Sequence, residues 1–286
     1  MTRRLRLAIP NKGRLVEPTV VLLRDAGLVF EVGERALVAR VQNFDLDILF
    51  VRTNDIVEFL ADGVAELGIT GLDLVAESGM DVAEVRRLGY GRCRLTIAVP
   101  NDSPYRAPED LAGLRVATSH LNVTKRFFAE RSIPVDVIPV SGAAEVAPRL
   151  GLAEAIVDLV STGSTMVVNG LRPIEEIFSS EAVLLANRSA LTNHSEVLDT
   201  FETMLDATLA ARSRKYLMMN APKAKLAELE DLLPGLESPS IIPLAHEGMI
   251  AIHSVVDADQ VWSLLPRLKA AGASGILILP IEKLVS

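Results

Sequence analysis

Short aliphatic runs alternate with stretches whose apolar residues are three and four positions apart, from the start of the chain to about residue 214. The runs predict buried strands, and the spaced stretches predict amphipathic helices. This alternation is typical of an α/β protein with right-handed crossovers and sheets rich in parallel strands. The predicted strands are 5–9, 36–41, 46–51, 65–70, 94–99, 114–118, 135–140, 156–160 and 182–186. The predicted helices are 15–26, 55–61, 122–131, 143–150, 166–171 and 196–214, with a shorter one that ends at Glu77.

The pattern changes at Lys215, where strands and helices follow each other in the order β-α-β-β-α-β. That order is typical of a ferredoxin-like fold, and small domains of this kind often bind amino acids and regulate an enzyme. The predicted strands are 216–219, 240–244, 249–256 and 275–281, and the predicted helices are 222–233 and 258–271. We predict a first lobe of residues 1–93 with 180–212, a second lobe of residues 94–179, a ferredoxin-like domain of residues 213–286, and a crossing between the lobes at the loop 100–104.

Composition agrees with this class and excludes several others. The 286 residues are 49% hydrophobic but only 4% aromatic, which suits buried parallel strands rich in Val, Leu and Ala. The formal net charge of -8 argues against a general nucleic-acid surface. A single cysteine, Cys93, excludes an intrachain disulfide and a cysteine-cluster metal site. No apolar run reaches the roughly 18 residues of a membrane span, and the basic N-terminus lacks the apolar core of a signal peptide, so we expect a cytoplasmic protein.

The most informative stretch is 156–171, IVDLVSTGSTMVVNGL. It predicts a buried strand interrupted by Asp158, then a turn of small and hydroxyl side chains, then the start of a helix. Backbone N–H groups and the positive end of a helix dipole make such a turn a site for a phosphate, and the preceding carboxylate suits the hydroxyls of a ribose. A phosphoribosyl group needs both. The candidate phosphate-binding residues are Ser161, Thr162, Gly163, Ser164 and Thr165.

A plainer interpretation of the same turn is a strand-to-helix loop in which Ser164 or Thr165 caps the helix. The carboxylate favours the binding site, because a lone charge inside an apolar strand is costly unless something pairs with it.

DLVSTGSTMVVNGL resembles the phosphoribosyl-pyrophosphate loop of ATP phosphoribosyltransferase, the first enzyme of histidine biosynthesis. The commoner phosphoribosyltransferase signature has two adjacent acids before the turn, whereas Asp158 is followed here by Leu159. The resemblance extends over nearly the whole chain. Its other segments are NKGRL, VRTNDIVEFLADG, GITGLDLVAESG, RVATSHLNVTKRFFAERSIPVDVIPVSGAAEVAP and, in the regulatory domain of the long form, LPGLESPSIIPLAHEGMIAIHSVV.

The resemblance implies a two-lobed, periplasmic-binding-protein-like catalytic core and a reaction. N1 of the adenine of ATP displaces pyrophosphate from phosphoribosyl pyrophosphate, which yields phosphoribosyl-ATP. The turn 161–165 would hold the 5′-phosphate, and Asp158 with Glu145 would hold the ribose hydroxyls. An exposed glutamate near a helix start is also an ordinary partner of the helix dipole. No residue stands out as a general base.

The resemblance assigns further residues to the nucleotide or pyrophosphate, namely Lys12, Gly13, Arg14, Arg52, Gly71 and Asp73. Several of these have plainer interpretations. Lys12 and Arg14 would form a solvated basic loop, Arg52 would pair with Asp55, and Asp73 would cap its own helix.

The resemblance also implies partners. Magnesium (Mg²⁺) would bridge pyrophosphate oxygens and keep several waters, which suits a sequence with no dedicated metal cage. Histidine would bind the last domain and inhibit the enzyme, and dimers would assemble into a hexamer. His246 and His253, seven residues apart across an expected hairpin, are interpreted as surface histidines and not as metal ligands.

Three alternatives remain open at this stage. Two βα lobes also describe a solute-binding protein that traps a ligand without chemistry. They describe the effector half of a transcription regulator as well, although the chain opens with a strand and offers no helix-turn-helix. The third alternative is a phosphoribosyltransferase that uses a different base.

Overall fold

The computed structural model of the chain describes residues 4–33, 36–161, 163–193, 195–233 and 238–285. It contains two compact units. The first consists of residues 1–21 and 28–195, and the second consists of residues 22–27 and 196–286.

A six-stranded sheet carries the first part of the chain. Its elements to residue 87 are β1 (Leu5–Pro10), α1 (Val16–Asp25), β2 (Val38–Arg40), β3 (Leu46–Val51), α2 (Ile56–Ala61), β4 (Leu67–Gly71), α3 (Leu72–Ser78) and β5 (Ala83–Arg87). β1 lies parallel to both β3 and β4 in the middle of the sheet. The aliphatic side chains of Leu7, Ile48 and Ile69 are completely buried there. Because both faces of these strands are covered, their sequences are rich in aliphatic residues.

A five-stranded sheet follows. Its elements are β6 (Cys93–Pro100), β7 (Arg115–Thr118), α4 (Leu121–Glu130), β8 (Asp136–Pro139), β9 (Ala155–Val160), α5 (Ser164–Val168) and β10 (Leu171–Ser180). The strand order is β10-β6-β9-β7-β8. β7 lies parallel to β8 and β9, but β6 is antiparallel to both of its neighbours, so this sheet is mixed and not predominantly parallel.

The chain then returns to the six-stranded sheet through β11 (Ala182–Ala186), which lies between β4 and β5 and is antiparallel to both. We call the six-stranded sheet with its helices the first lobe and the five-stranded sheet with its helices the second lobe. The chain crosses between them just before β6 and again between β10 and β11. The predicted crossing at 100–104 is therefore wrong, because that loop follows the far end of β6, where Asn101 N–H bonds the carbonyl of Gly170.

The last part of the chain contains α6 (Arg188–Asn193), α7 (Ser195–Arg212), β12 (Arg214–Pro222), α8 (Leu226–Glu230), β13 (Ser240–Pro243), β14 (Met249–Asp257), α9 (Val261–Ala270) and β15 (Ser274–Pro280). The sheet order β13-β14-β12-β15, with all pairs antiparallel, is that of a ferredoxin-like fold. Leu217, Ile252 and Leu268 are buried in a core that this domain makes from its own residues. The predicted β-α-β-β-α-β order is confirmed.

Three further predictions need correction. The helix expected at 143–150 is a single 3-10 turn, Ala144–Val146, and the helix expected at 166–171 begins at Ser164 and ends at Val168. Two strands, β5 and β10, were not predicted at all. Both lie at sheet edges and are half exposed, so their sequences lack an apolar run, and β10 tolerates a proline because an edge strand leaves some N–H positions unpaired.

The packing of α2 on β4 generates a stability prediction. A Cβ atom added at Gly68 would lie 2.8 Å from Ile56 Cγ2 and 2.9 Å from Leu60 Cδ1, inside a fully buried contact. We expect Gly68→Ala to destabilise the first unit by about 1–3 kcal/mol, because overpacking a dense core forces side chains from their rotamers. Gly33→Ala is the control, since its Cβ would make only an ordinary 3.5 Å contact. Equal midpoints of thermal unfolding for both variants would contradict the prediction.

Candidate functional site

The described residues of the turn after β9 include a glycine with a left-handed backbone at the start of a helix. Gly163 has φ +80 and occupies the N-cap position of α5, so neither Ser164 nor Thr165 caps the helix. The side chains of Ser161, Ser164 and Thr165 are at least partly accessible to solvent. N–H groups in the first turn of a helix have no acceptor within the helix itself, which is the general basis of anion binding at helix starts. Thr162, which was predicted as part of this site, lies outside the described residues.

The carboxyl group of Asp158 lies three residues before Ser161 and is half buried on β9. Burial raises its pKa, and the negative charge of Glu145 raises it further. The N–H of Leu159 donates to Asp158 Oδ1 at 2.8 Å, and this bond and the nearby His120 act in the opposite direction. The structure therefore brings Asp158 and Glu145 within electrostatic range of each other, although the predicted helix around Glu145 is absent.

Two cavities lie beside the turn. One has a volume of about 660 Å³ and a largely apolar lining that includes Val160, Gly163 and Met166. The other has a volume of about 520 Å³, reaches Ser161 and is lined by Arg87, Arg92 and Arg94. Arg94 lines both cavities.

The sequence analysis did not identify these arginines. Arg94 is exposed on β6 between the buried Cys93 and Leu95, and β6 lies next to β9, with Arg94 opposite Val160. The sequence signal that could have identified Arg94 is an arginine placed between two apolar residues of a predicted strand. Its position beside the turn depends on the pairing of β6 with β9, which the sequence did not indicate.

The basic loop after β1 lies at the carboxyl end of this central strand of the first lobe's sheet. Lys12, Gly13 and Arg14 are exposed, and Gly13 has φ +91 with open space where a Cβ atom would stand. Arg14 Nη2 lies 2.7 Å from Cys93 Sγ, so its guanidinium group reaches the residue between Arg92 and Arg94.

Arg52 is exposed at the end of β3, next to this loop. β1 and β3 are parallel and in register to their last residues, and Asn11 N–H bonds the carbonyl of Val51 at 2.8 Å. The structure thus places Arg52 and Lys12 at the ends of adjacent strands. Asp55 contacts Arg52 through the backbone, where its N–H donates to the Arg52 carbonyl at 2.9 Å.

Asp73 differs from both interpretations offered by the sequence. It does not cap α3, whose N-cap is Gly71, and its side chain is only 5% exposed. Ser180 Oγ donates to Asp73 Oδ1 at 2.5 Å, and His120 Nε2 lies 3.2 Å from Oδ2. Both carboxylate oxygens are occupied, one by His120 of the second lobe and the other by Ser180 at the crossing between β10 and β11. Gly71 is required by this arrangement, because its Cβ would lie 2.3 Å from Asp73 Oδ1.

The two-lobed α/β core has a glycine turn at a helix start, two interacting carboxylates beside it and basic side chains at strand ends, which are the kinds of groups that bind a phosphorylated sugar and an anionic leaving group. The fold and the site together define the class of enzymes that transfer a phosphoribosyl group.

Comparison with known proteins specifies the class further. The family model described as ATP phosphoribosyltransferase matches residues 52–207, and the model described as HisG, C-terminal domain, matches residues 211–283. ATP phosphoribosyltransferase of Gemmatimonas aurantiaca is 46% identical over 291 residues, and that of Methanosarcina barkeri is 42% identical over 288 residues. Each alignment covers 98% of this chain and 99% of the relative.

A solved structure agrees. The chain resembles one from the ATP phosphoribosyl transferase (HisG:HisZ) complex of Thermotoga maritima, with 29% identity and a TM-score of 0.65. That similarity covers 73% of this chain and 99% of the other.

The chain belongs to the ATP phosphoribosyltransferase family. It is a transferase that moves the phosphoribosyl group of phosphoribosyl pyrophosphate to N1 of the adenine of ATP, the first step of histidine biosynthesis. The predicted family, fold class and activity are confirmed, and the solute-binding and transcription-regulator alternatives are excluded. Within the described residues, no helix has the length and apolar character needed to cross a membrane.

The left-handed backbone of the turn generates a second prediction. We expect Gly163→Ala to weaken binding of phosphoribosyl pyrophosphate by roughly 5- to 30-fold, because an L-residue at positive φ costs about 1–2 kcal/mol and relaxes the turn. Gly113→Ala is the matched control. Gly113 has φ +78, lies in the same lobe before β7, and has no atom within 4 Å of a Cβ. The measurement is a titration of each folded variant with phosphoribosyl pyrophosphate. Comparable affinities of Gly163→Ala and Gly113→Ala for this substrate would refute a phosphate-binding role of the turn.

Proposed function

We propose that the turn 161–165 binds the 5′-phosphate of phosphoribosyl pyrophosphate and that Asp158, with Glu145, binds the ribose hydroxyls. The observation that carries this proposal is the half-buried carboxyl of Asp158, which lies three residues before the turn with a raised pKa. A carboxylate held away from water beside a second carboxylate gains strongly from donors such as a ribose diol. The short helix α5 adds little dipole, so the backbone N–H groups and hydroxyls of the turn carry the phosphate.

The chemistry requires positioning and charge stabilisation rather than a covalent intermediate. Adenine N1 forms a bond to C1 of the ribose while the C1–O bond breaks, and the bonding pair leaves with pyrophosphate. The ribose becomes oxocarbenium-like in the transition state, and the negative carboxylates of Asp158 and Glu145 would stabilise the positive charge that develops on it. We assign no general base.

The negative charge of the two substrates is assigned to basic side chains. Lys12, Arg14 and Arg52 would face the pyrophosphate or the triphosphate, with Gly13 allowing close approach of the backbone. Arg14 lies next to Cys93, which lines the arginine-lined cavity beside Ser161, and this proximity supports the assignment. Gly71 and Asp73 are not assigned as direct ligands, because both residues are buried and each carboxylate oxygen of Asp73 already has a partner.

Magnesium fits this site as a substrate-bound ion. Across the described ranges, no group of three or more His, Cys, Asp and Glu side chains forms a cage for a metal. The carboxylates of Asp158 and Glu145 repel each other, and a cation near them would relieve that repulsion. When bound, Mg²⁺ would neutralise pyrophosphate oxygens and make pyrophosphate a better leaving group.

We also propose that histidine binds the ferredoxin-like domain and inhibits the enzyme, that the cytoplasmic protein forms dimers and hexamers, and that the chain divides at 1–93 with 180–212, 94–179 and 213–286. Each sheet draws its strands from one of these parts to within one residue, which supports the division for the strands, whereas residues 196–212 group with the last domain in the second compact unit. The separate core of the last domain supports an independent regulatory role.

The ribose assignment predicts a difference between substrates. We expect Asp158→Ala to weaken the binding of phosphoribosyl pyrophosphate by about 10- to 100-fold, because that is the loss expected when a hydrogen bond to a charged group is removed. The affinity for ATP should change far less. Binding titrations on folded protein provide the measurement. An equal loss for both substrates would exclude the assignment.

The raised pKa of Asp158 predicts a pH dependence. The carboxyl takes up its proton at a higher pH than an ordinary aspartate, and the neutral form accepts hydrogen bonds poorly. As pH falls toward that pKa, the wild-type protein loses the part of its affinity for phosphoribosyl pyrophosphate that comes from the ionised carboxylate. Asp158→Asn lacks this contribution at every pH. The difference in log affinity between the two proteins should therefore shrink on acidification, and ionisation of the substrate cancels in this difference. A constant difference would count against an ionised Asp158 in binding.

The regulatory proposal is tested with the full chain. Initial-rate formation of pyrophosphate from ATP and phosphoribosyl pyrophosphate with magnesium should fall when histidine is added. Turnover that histidine leaves unchanged would contradict the role of the last domain while preserving the enzymatic assignment.

A further inference from the structure

The two lobes are joined by buried polar contacts that the mechanism above does not use. Asp73 belongs to α3 of the first lobe and His120 to the second, whereas Ser180 is the last residue of β10, where the chain crosses back to the first lobe. The side chains of Asp73 and His120 are each only 5% exposed, and Ser180 is 4% exposed as a residue. A second bond strengthens the group, because Asp73 N–H donates to Ser180 Oγ at 3.0 Å.

One helical turn further along α3, Glu77 contacts the start of α4. Asn122 N–H and Val123 N–H donate to the Glu77 carboxylate at 2.9–3.0 Å, and Asn122 Nδ2 donates to the Glu77 carbonyl at 2.8 Å. The N-cap residue of α4 is His120, whose side chain makes no capping bond. A carboxylate of the first lobe therefore supplies the cap that a helix of the second lobe lacks. We call Asp73, Glu77, His120, Asn122 and Ser180 the interlobe contact.

The balance of forces at Asp73 shows that the contact is specific. Burial by itself raises the pKa of this carboxyl, yet the hydrogen bonds from His120 and Ser180, with the charge of His120, hold the pKa below its usual value. Separating the lobes would exchange the hydrogen bond between the Asp73 carboxylate and His120 for hydrogen bonds to water, which is a net loss of stabilisation. Such a contact favours one relative arrangement of the lobes over others.

The contact also lies near the proposed ribose site. His120 is close enough to Asp158 for its charge to lower the pKa of that carboxyl. One end of the contact is thus on the first lobe, which carries Lys12, Arg14 and Arg52, and the other end lies next to the carboxylate of the second lobe.

We propose that Asp73 is a positioning residue that acts through His120 and Ser180. Together with Glu77, which caps α4, it holds the basic loops of the first lobe against the proposed phosphoribosyl site of the second. This inference rests on the proposed placement of the two substrates on different lobes. Reacting groups that are misplaced by about 1 Å can cost 10²-fold in rate, so the angle between the lobes matters for kcat.

Asp73→Asn tests the proposal, because it keeps the shape of the side chain and removes the charge that faces His120. We expect kcat to fall by about tenfold or more, while the Kd of phosphoribosyl pyrophosphate changes less than about twofold. Asp81→Asn is the matched control. Asp81 pairs with Arg188 at 2.6 Å inside the first lobe, and loss of that exposed pair should leave kcat unchanged.

Hydrogen exchange gives a readout that does not depend on catalysis. In Asp73→Asn and in Glu77→Gln, the amides of Asn122 and Val123 should exchange faster, whereas those of the central strands should not. The Glu77 variant also serves if Asp73→Asn folds poorly. His120→Gln keeps an amide donor and should retain more activity than His120→Ala.

Two results would overturn the proposal. Folded Asp73→Asn and Glu77→Gln with normal kcat and normal exchange would show that the contact has no positioning role. A Kd for phosphoribosyl pyrophosphate that rises in step with the loss of kcat would make Asp73 a substrate ligand. Failure of the substrate assignment would instead appear in Asp158→Ala, with the exchange result unaffected.

Discussion

A half-buried carboxylate, Asp158, lies on an otherwise apolar strand and is the constraint around which the site is arranged. Burial disfavours its charged form, and the nearby Glu145 adds to that cost. The N–H of Leu159 and the nearby His120 offset part of it. A group held in this state gains more from a hydroxyl donor or a cation than a solvated carboxylate would. The chain then turns through small residues and a glycine at positive φ, so a phosphate can approach the backbone three residues away.

The reaction joins two highly charged substrates, although the chain carries a net charge of -8. Local groups must therefore supply the positive field. In the proposed site, the basic loop after β1 and Arg52 after β3 would supply it from the ends of adjacent strands of the first lobe. The proposed phosphoribosyl site lies on the second lobe, so the effect of these groups would depend on how the lobes are held, and a buried hydrogen bond joins Asp73 of the first lobe to His120 of the second.

The central strands were predictable because most of their residues are aliphatic and buried, as in Ala182–Ala186, or alternate buried with half-buried positions, as in Leu46–Val51. The edge strands β5 and β10 were missed because half of each faces solvent and selects polar residues. The stretch after Ala143 has apolar residues at helical spacing, yet only one 3-10 turn forms before the chain enters β9. Pro148 lies inside this stretch, has no N–H to donate and disfavours a helical residue before it, so a continuous helix over 143–150 is disfavoured locally.

The sequence by itself determined the α/β class and the order of the last domain, because these depend on residues close together in the chain, and it indicated the family through motifs spread over nearly the whole chain. The phosphate-binding role of the turn stays a prediction. Only the tertiary structure decided the partners of Asp73, which are 47 and 107 residues away, and the position of Arg94 beside the turn. It also explained Gly71, whose missing side chain leaves room for a carboxylate two residues later. Contacts of this kind depend on how strands pair and lobes meet, and no local pattern of hydrophobic and polar residues encodes that choice.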